Sequence, residues 1–412
     1  MSKATHNFFI SSISDNNFEQ CLKCSICTVY CPVSAVEPLF PGPKQAGPDG
    51  ERYRLKNPRF TDDSLKLCLN CKRCEVACPH DVRIGDIIQR ARLQNSKHKP
   101  GIRARLLAST DLVGKIATRL TPAFNTILSL KTTKEYKHRM LGIDRHFTFP
   151  TYARVTFEKW FEKNAAKKQS GFSQQVAYFH GCHVNYNDTA PGIAFVNVMN
   201  KLGFGVTLIN DEKCCGNPFM ANGMPQKALK LAFHNLNQLR LTSQQVPIVL
   251  TTSSTCTFTI RDEYNFVLGL DNHDVRDKIS LATRFIYKKI EDGELILPPV
   301  KPDFKLRIAY HSACHMEKLG WSFYSSSLLR MIPGVQLIML DSLCCGMAGT
   351  YGFKTENYRR SLKIGEPLFQ AIREAEADVV VTDCEMCKQQ IEAATGARVL
   401  HPIEVLAMAL DD

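Results

Sequence analysis

Eight cysteines in the first 80 residues fall into one pattern, written twice: Cys21-x-x-Cys24-x-x-Cys27-x-x-x-Cys31-Pro32 and Cys68-x-x-Cys71-x-x-Cys74-x-x-x-Cys78-Pro79. Given one cysteine, three more at fixed offsets arise by chance about 7 times in 100,000 at this chain's cysteine content. Three thiolates at this spacing wrap a short loop around one iron–sulfur cube, and the fourth lies beyond the wrap. In two-cluster ferredoxins that fourth thiolate serves the other cluster. The pattern therefore predicts two [4Fe–4S] clusters, one on Cys21, Cys24, Cys27 and Cys78, the other on Cys68, Cys71, Cys74 and Cys31. Pro32 and Pro79 then turn the chain away. Zinc prefers paired CxxC units without the trailing fourth cysteine and proline.

A chain of 412 residues with 44% apolar content has room for two or three cored domains. Its 17 cysteines are odd in number, and Met1 to Asn7 is polar with only Phe8-Phe9-Ile10 apolar after it. Metal sites in a reducing compartment are expected rather than a secreted disulfide scaffold. No run reaches about 18 apolar residues, so no transmembrane segment is expected. Charge is concentrated: Arg83 to Lys168 holds 19 Lys and Arg against 6 Asp and Glu, a net of +13, whereas the whole chain carries +12. A basic stretch without aromatic stacking motifs suits an anionic membrane surface or an acidic partner, and no nucleic acid is expected.

The chain divides into a helical two-cluster domain (1–95), a basic connector (96–175) and two α/β lobes (176–300 and 301–412). In the first domain the Pro/Gly-rich run from Pro38 to Gly50 is expected to break helix and strand alike. Helices are expected at Glu51–Lys56, Asp62–Leu69 and Arg83–Gln94, the last with Ile84, Ile87, Ile88 and Ala91 on one face. In the connector, Ile102, Leu106, Val113, Ala117 and Leu120 recur at helical intervals, flanked by Arg103, Lys115 and Arg119. Such a helix can lie on a membrane surface or pack on the next domain. Gly114 weakens it and Pro122 interrupts it.

The lobes contain an internal repeat. Val176-Ala-Tyr-Phe-His-Gly-Cys182-His183 matches Ile308-Ala-Tyr-His-Ser-Ala-Cys314-His315, Cys214-Cys215-Gly216 matches Cys344-Cys345-Gly346, and the Cys256 run matches the Cys387 run. Offsets of 132, 130 and 131 residues mark a duplication. In each half an apolar strand precedes every cysteine group: Val176–Phe179, Val206–Ile209 and Ile248–Leu250, then Ile308–Tyr310, Val335–Leu340 and Val379–Val381. Helices such as Gln226–Leu239 and Leu362–Ala375 lie between. The fold class expected is α+β multidomain, a helical two-cluster ferredoxin domain followed by two pseudo-symmetric α/β lobes, with the cysteines at strand ends where open sheets bind ligands.

The second lobe offers five thiols: Cys314, Cys344, Cys345, Cys384 and Cys387. Adjacent cysteines chelate one small ion poorly but can reach different irons of one cluster, so a further iron–sulfur cluster is expected there. Zinc and CxxC dithiol chemistry are the other readings. The first lobe keeps Cys182, Cys214, Cys215 and Cys256, but Ser253 stands where the repeat has Cys384. Serine is a poor ligand for soft iron, so this lobe holds a simpler cluster or none. His183 and His315 match across the repeat and are open to a structural role or to hydrogen bonding with a cluster or a quinone. No G-x-G-x-x-G after a strand and no G-x-x-x-x-G-K-[ST] occurs, so no nucleotide site is expected.

The paired motif followed by two Cys-Cys-Gly repeats resembles the iron–sulfur subunit family of heterodisulfide reductases, glycolate oxidases and lactate-oxidation systems. The runs Cys68-Leu-Asn-Cys71-Lys-Arg-Cys74-Glu-Val-Ala-Cys78-Pro79 and Thr252-Ser-Ser-Thr-Cys-Thr-Phe258 carry it. The run Pro41-Gly-Pro-Lys-Gln-Ala-Gly-Pro-Asp-Gly-Glu-Arg52 resembles, more narrowly, the branch serving anaerobic glycerol 3-phosphate oxidation. The resemblance implies a non-catalytic electron-transfer subunit. Flavin-containing partner subunits would oxidise sn-glycerol 3-phosphate to dihydroxyacetone phosphate. This chain would pass the electrons to menaquinone or another quinone and hold the complex peripherally on the cytoplasmic face of the cell inner membrane. It also implies a non-cubane cluster on Cys314, Cys344, Cys345, Cys384 and Cys387. A disulfide reductase acting at that site, and a relay serving glycolate or lactate oxidation, are the alternatives.

Overall fold

The computed structural model describes residues 17–57, 60, 62–94 and 100–411. The polar opening at Met1–Asn7, the Phe8–Ile10 run and the expected boundary at 95/96 lie outside the described residues. In the first domain, helix α1 (Ile84–Gln94) buries Ile84, Ile87, Ile88 and Ala91, as its 3.6-residue period predicts. The two motif loops pack beside it, with Cys27, Cys31 and Cys74 in the same core as Leu65 and Val82. That core continues into Cys344, Tyr351 and Ile364, so the domain is bonded to the second lobe rather than tethered to it. The run expected to break helix is helical in its second half: a π-helical turn at Gln45–Asp49 leads into a helix at Gly50–Lys56. Pro48 stands inside this stretch, at the π-helical turn, where the regular helical ladder is interrupted. The stretch expected as helix at Asp62–Leu69 is a 3₁₀ turn, Asp63–Leu67, capped by the Asp62 carboxylate.

The connector opens with four helices, α2 (Ile102–Ala108), α3 (Thr110–Arg119), α4 (Ala123–Ser129) and α5 (Lys131–Leu141), and two more follow at Phe157–Asn164 and Ala166–Gln169. Its expected apolar stripe does not form one face. Ser109, with ψ of 55°, breaks α2 from α3, and the cis Thr121–Pro122 bond separates α3 from α4. Ala117 is buried, Ile102 and Leu120 face water, and Leu106 faces a central cavity. Arg103 is no free flank either, since it grips the Glu356 carboxylate at 2.7 and 2.9 Å.

Each lobe is built on a four-stranded, all-parallel sheet. Strands β1 (Gln174–Phe179), β2 (Phe204–Leu208), β3 (Val249–Thr251) and β4 (Ile279–Leu281) lie in the order β2-β1-β3-β4. Strands β5 (Leu306–Tyr310), β6 (Val335–Met339), β7 (Val379–Val381) and β8 (Val399–Leu400) repeat it as β6-β5-β7-β8. β4 and β8 were not expected. Two or three apolar residues carry no readable period, and pairing with β3 and β7 is what makes them strands. Helices α6 (Gly181–Tyr186), α7 (Pro225–Gln245) and α8 (Ser254–Phe258) belong to the first lobe, and α9 (Cys314–Leu319), α10 (Thr355–Ala375) and α11 (Glu385–Thr395) to the second. The duplication reaches side chains. Tyr178 bonds the Thr252 hydroxyl at 2.8 Å, and its counterpart Tyr310 donates to Asp383 at 2.7 Å. One apolar core joins the lobes, holding both tyrosines, Phe195, Ile403 and Leu406. In parallel sheets all strands end at the same edge, so every cysteine group that follows a strand is delivered to one side.

Candidate iron–sulfur sites around a central cavity

The two motif loops have the same backbone. Lys23 and Ser25 take positive φ on either side of Cys24, and Asn70 and Lys72 do so on either side of Cys71. Left-handed non-glycine residues are costly and cluster at functional loops. Left-handed turns of this kind are the backbone from which anion-binding nests are made. A short helix follows in each, Ile26–Val29 and Arg73–Val76. Cys27 lies within electrostatic reach of Cys21, Cys78 and Cys24, and Cys31 within reach of Cys71 and Cys68. Cys74 feels Cys71, Cys68 and Cys31. Burial pushes the Cys31 thiol up to about 12 and Cys74 well above the ordinary range. Thiols sunk this far become thiolates only beside a strong cation, which fits iron as their partner. The Asn70 N–H donates to Cys68 Sγ at 3.4 Å.

The second loop is pinned to both lobes. Arg73 reaches Glu317 at 3.3 Å and the Ser342 hydroxyl at 2.8 Å, and Glu75 takes Lys318 at 2.8 Å. Asn70 donates to Glu263 at 2.7 Å. Lys72 is wholly buried between Asp86 and Glu75 under the Phe258 ring. Burial opposes its charge, but the carboxylates outweigh that and raise its pKa. His315 stacks on Phe258, its ring centroid 4.7 Å away.

In the second lobe Cys345 and Cys387 meet at 3.3 Å, with Cys384 against Cys387. Cys344 contacts Cys71 of the first domain, and Cys314 feels the charge of Cys71, Cys384 and Cys345. The five thiols of the intact repeat thus lie with a motif cysteine among them. Gly346 holds φ of 80°, and a Cβ there would fall 2.0 Å from the Ser361 carbonyl oxygen, so only glycine makes this turn. Its N–H donates to Cys344 Sγ at 3.4 Å.

In the first lobe the thiols touch in series, Cys182 to Cys214 to Cys215 to Cys256. Bonds from the Cys182 and Cys215 thiols pull Cys214 well below the usual range, while its neighbours rise. Ser253 is not a vacant ligand position. Its hydroxyl accepts from the Cys256 N–H at 3.1 Å, capping α8, and donates to Glu385 at 3.0 Å. Glu385 follows Cys384, so the odd residue of one repeat is tied to the cysteine loop of the other.

Sequence reasoning placed every cysteine but missed the groups that serve them. Asp111 of α3 accepts from the Cys214 N–H at 2.9 Å, and the Thr110 hydroxyl contacts the Cys214 thiol. Burial first, then the Cys214 charge, push Asp111 up to about 6. An isolated acid in so basic a stretch was the available signal. His311, beside Cys314 in sequence, has no counterpart histidine at its repeat position, where Phe179 stands.

Eleven cysteines, from Cys68 and Cys71 through both lobes, line one cavity of about 600 Å³ between the three parts of the molecule. Its far wall is the connector, with Leu106, Val113, Phe124, Leu128 and Tyr152. Among the described residues, no three His, Cys, Asp or Glu side chains converge as ligands of a single metal ion. Among them, too, no helix is long and apolar enough to cross a membrane.

Comparison with known proteins identifies the domains that carry these cysteines. Residues 17–82 match the 4Fe-4S dicluster domain, and residues 176–261 and 308–392 each match the CCG cysteine-rich domain. The chain carries multiple iron–sulfur clusters on these domains. It is 51% identical, over 97% of its own length and all of the other, to the anaerobic glycerol-3-phosphate dehydrogenase subunit designated C in Escherichia coli K12. More distantly, it is 25% identical to a subunit of the fumarate reductase (CoM/CoB) of Methanothermobacter marburgensis, over 58% of this chain and 47% of that one. It is 27% identical to a subunit of the dihydromethanophenazine:CoB–CoM heterodisulfide reductase of Methanosarcina barkeri, over 54% of each.

Proposed function

This chain belongs to the family of the anaerobic glycerol-3-phosphate dehydrogenase subunit designated C, and on that premise we propose that it is the electron relay of such a complex. Flavin-containing subunits oxidise glycerol 3-phosphate, this non-catalytic subunit accepts the electrons, and a quinone, menaquinone or another, receives them. Bound iron–sulfur clusters would supply one-electron transfer. The chain's own part is to hold thiolates at fixed positions, screen them from water and set partners around them.

We assign Cys21, Cys24, Cys27 and Cys78 to one [4Fe–4S] cluster and Cys68, Cys71, Cys74 and Cys31 to the other. The crossing of Cys31 and Cys78 between loops supports the assignment. A further cluster is assigned to Cys314, Cys344, Cys345, Cys384 and Cys387. Cys182, Cys214, Cys215 and Cys256 offer a fourth, four-thiol site. The lobes are read as duplicated, pseudo-symmetric units, with domain limits as the sequence suggested. The connector is read as the peripheral attachment to the cytoplasmic face of the inner membrane. The observation that carries the relay is the Cys71–Cys344 contact, which joins the two-cluster domain to the intact repeat. A disulfide reductase at that repeat is the second reading, favoured by five thiols on an open cavity. Turnover of a heterodisulfide by the isolated chain with a reduced dye would select it.

Cys71→Ser in the anaerobically purified complex tests the relay. Iron should fall by about four per chain from a wild-type content of about twelve or more. Quinone reduction by glycerol 3-phosphate should stop, while dye reduction at the partner subunits continues. Undiminished quinone reduction rejects the relay, and a wild-type content of about eight irons rejects the cluster in the second lobe.

A further inference from the structure

The central cavity has two unlike walls. Thiols crowd one, and the other is the apolar inner face of α3 and α4, with Val113, Phe124 and Leu128. His311 also lines the cavity, is 1% exposed, and neither ring nitrogen has a partner among the described residues. A buried imidazole with both nitrogens unmet is costly unless something in the cavity bonds to it. Burial, and then the nearby Arg73 charge, push this ring down to about 3, so it is neutral. A neutral imidazole offers one N–H donor and one acceptor. It can therefore bond a ring carbonyl before reduction and a ring hydroxyl after it. The apolar connector side of this open cavity, facing a buried imidazole, suits a small aromatic ligand. The same two connector helices and the turn between them leave Leu112, Ile116, Leu120 and Ile127 exposed to solvent.

We propose that this cavity is the binding site for a quinone head group, anchored at one ring oxygen by His311, with the apolar tail leaving between α3 and α4 toward lipid. This rests on the reading that quinone is the acceptor and adds where it binds. Two electrons from the flavin-containing partner and two protons from solvent convert both ring carbonyls to hydroxyls.

The whole complex, with its dehydrogenase subunits, serves as the test. An azido-naphthoquinone should photolabel the wild-type chain within residues 102–128 or 311–315. His311→Ala should raise KM for menadione at least about tenfold, the loss of one buried hydrogen bond, with iron content and dye reduction unchanged. His311→Gln, which keeps a donor and an acceptor, should restore part of it. Val113→Trp, filling the apolar side, should abolish labelling. Labelling confined to other segments, or menadione kinetics unchanged in both His311→Ala and Val113→Trp, overturns the site while leaving quinone as acceptor. A wild-type complex that reduces dye but neither binds nor reduces naphthoquinone removes the acceptor reading itself, and the site with it.

Discussion

His401 shows how a single side chain couples this fold to pH. Its Nδ1 accepts the Ile403 N–H at 3.0 Å and caps the last helix, Pro402–Ala409. Burial holds the ring neutral, its pKa down at about 3. In the unfolded chain histidine takes a proton below about 6.5. The unfolded state thus binds more protons between about 6.5 and 3, so stability is full above that window and falls as pH drops through it. Asparagine keeps an acceptor at a cap position without titrating. Anaerobic urea unfolding at pH 7 and pH 5 should show a loss smaller by about 2 kcal/mol in His401→Asn than in wild type. Equal losses would show that the ring is not buried neutral. The grouping of the cysteines was legible because bond geometry at a cluster dictates their spacing along the chain. His311 and the Ser253–Glu385 bond were not, since a missing or distant partner leaves no local pattern.

At the scale of elements, Gly114 explains a helix that sequence marks as weak. A Cβ there would fall 2.4 Å from Cγ of Tyr186, so glycine is what lets α3 lie against α6. Gly114→Ala should cost about 1–3 kcal/mol through overpacking, despite alanine's better helix propensity. A lowered Tm is the expected result, and an unchanged or raised Tm would show that the contact yields. Because Thr110 and Asp111 ride on α3, the same substitution disturbs their hold on Cys214. The strands leading to each cysteine group read plainly as apolar runs, α1 as a periodic one, and α7 and α10 in part as the helical stretches Gln226–Leu239 and Leu362–Ala375. The connector misled because its interval pattern continues across Ser109 and stops only at Pro122, while the backbone turns at both.

Taken whole, the second motif loop, both lobes and the basic connector line one cavity. Leu112 and Ile116 are 61% and 48% exposed beside Lys115 and Arg119. Apolar anchors among cations favour an anionic bilayer. Flotation with phosphatidylglycerol vesicles should capture the protein, raised salt should weaken capture, and Leu112→Asp with Ile116→Asp should abolish it. Capture that survives both changes would place lipid contact elsewhere. Of the seventeen cysteines only Cys24 is exposed, and Leu22, Val29 and Tyr30 stand bare around it. The molecule is therefore an insulated conductor stripped at one terminal. A donor needs no passage into the protein, only a snug fit over that terminal, and the same covering would keep stray oxidants from short-circuiting the current.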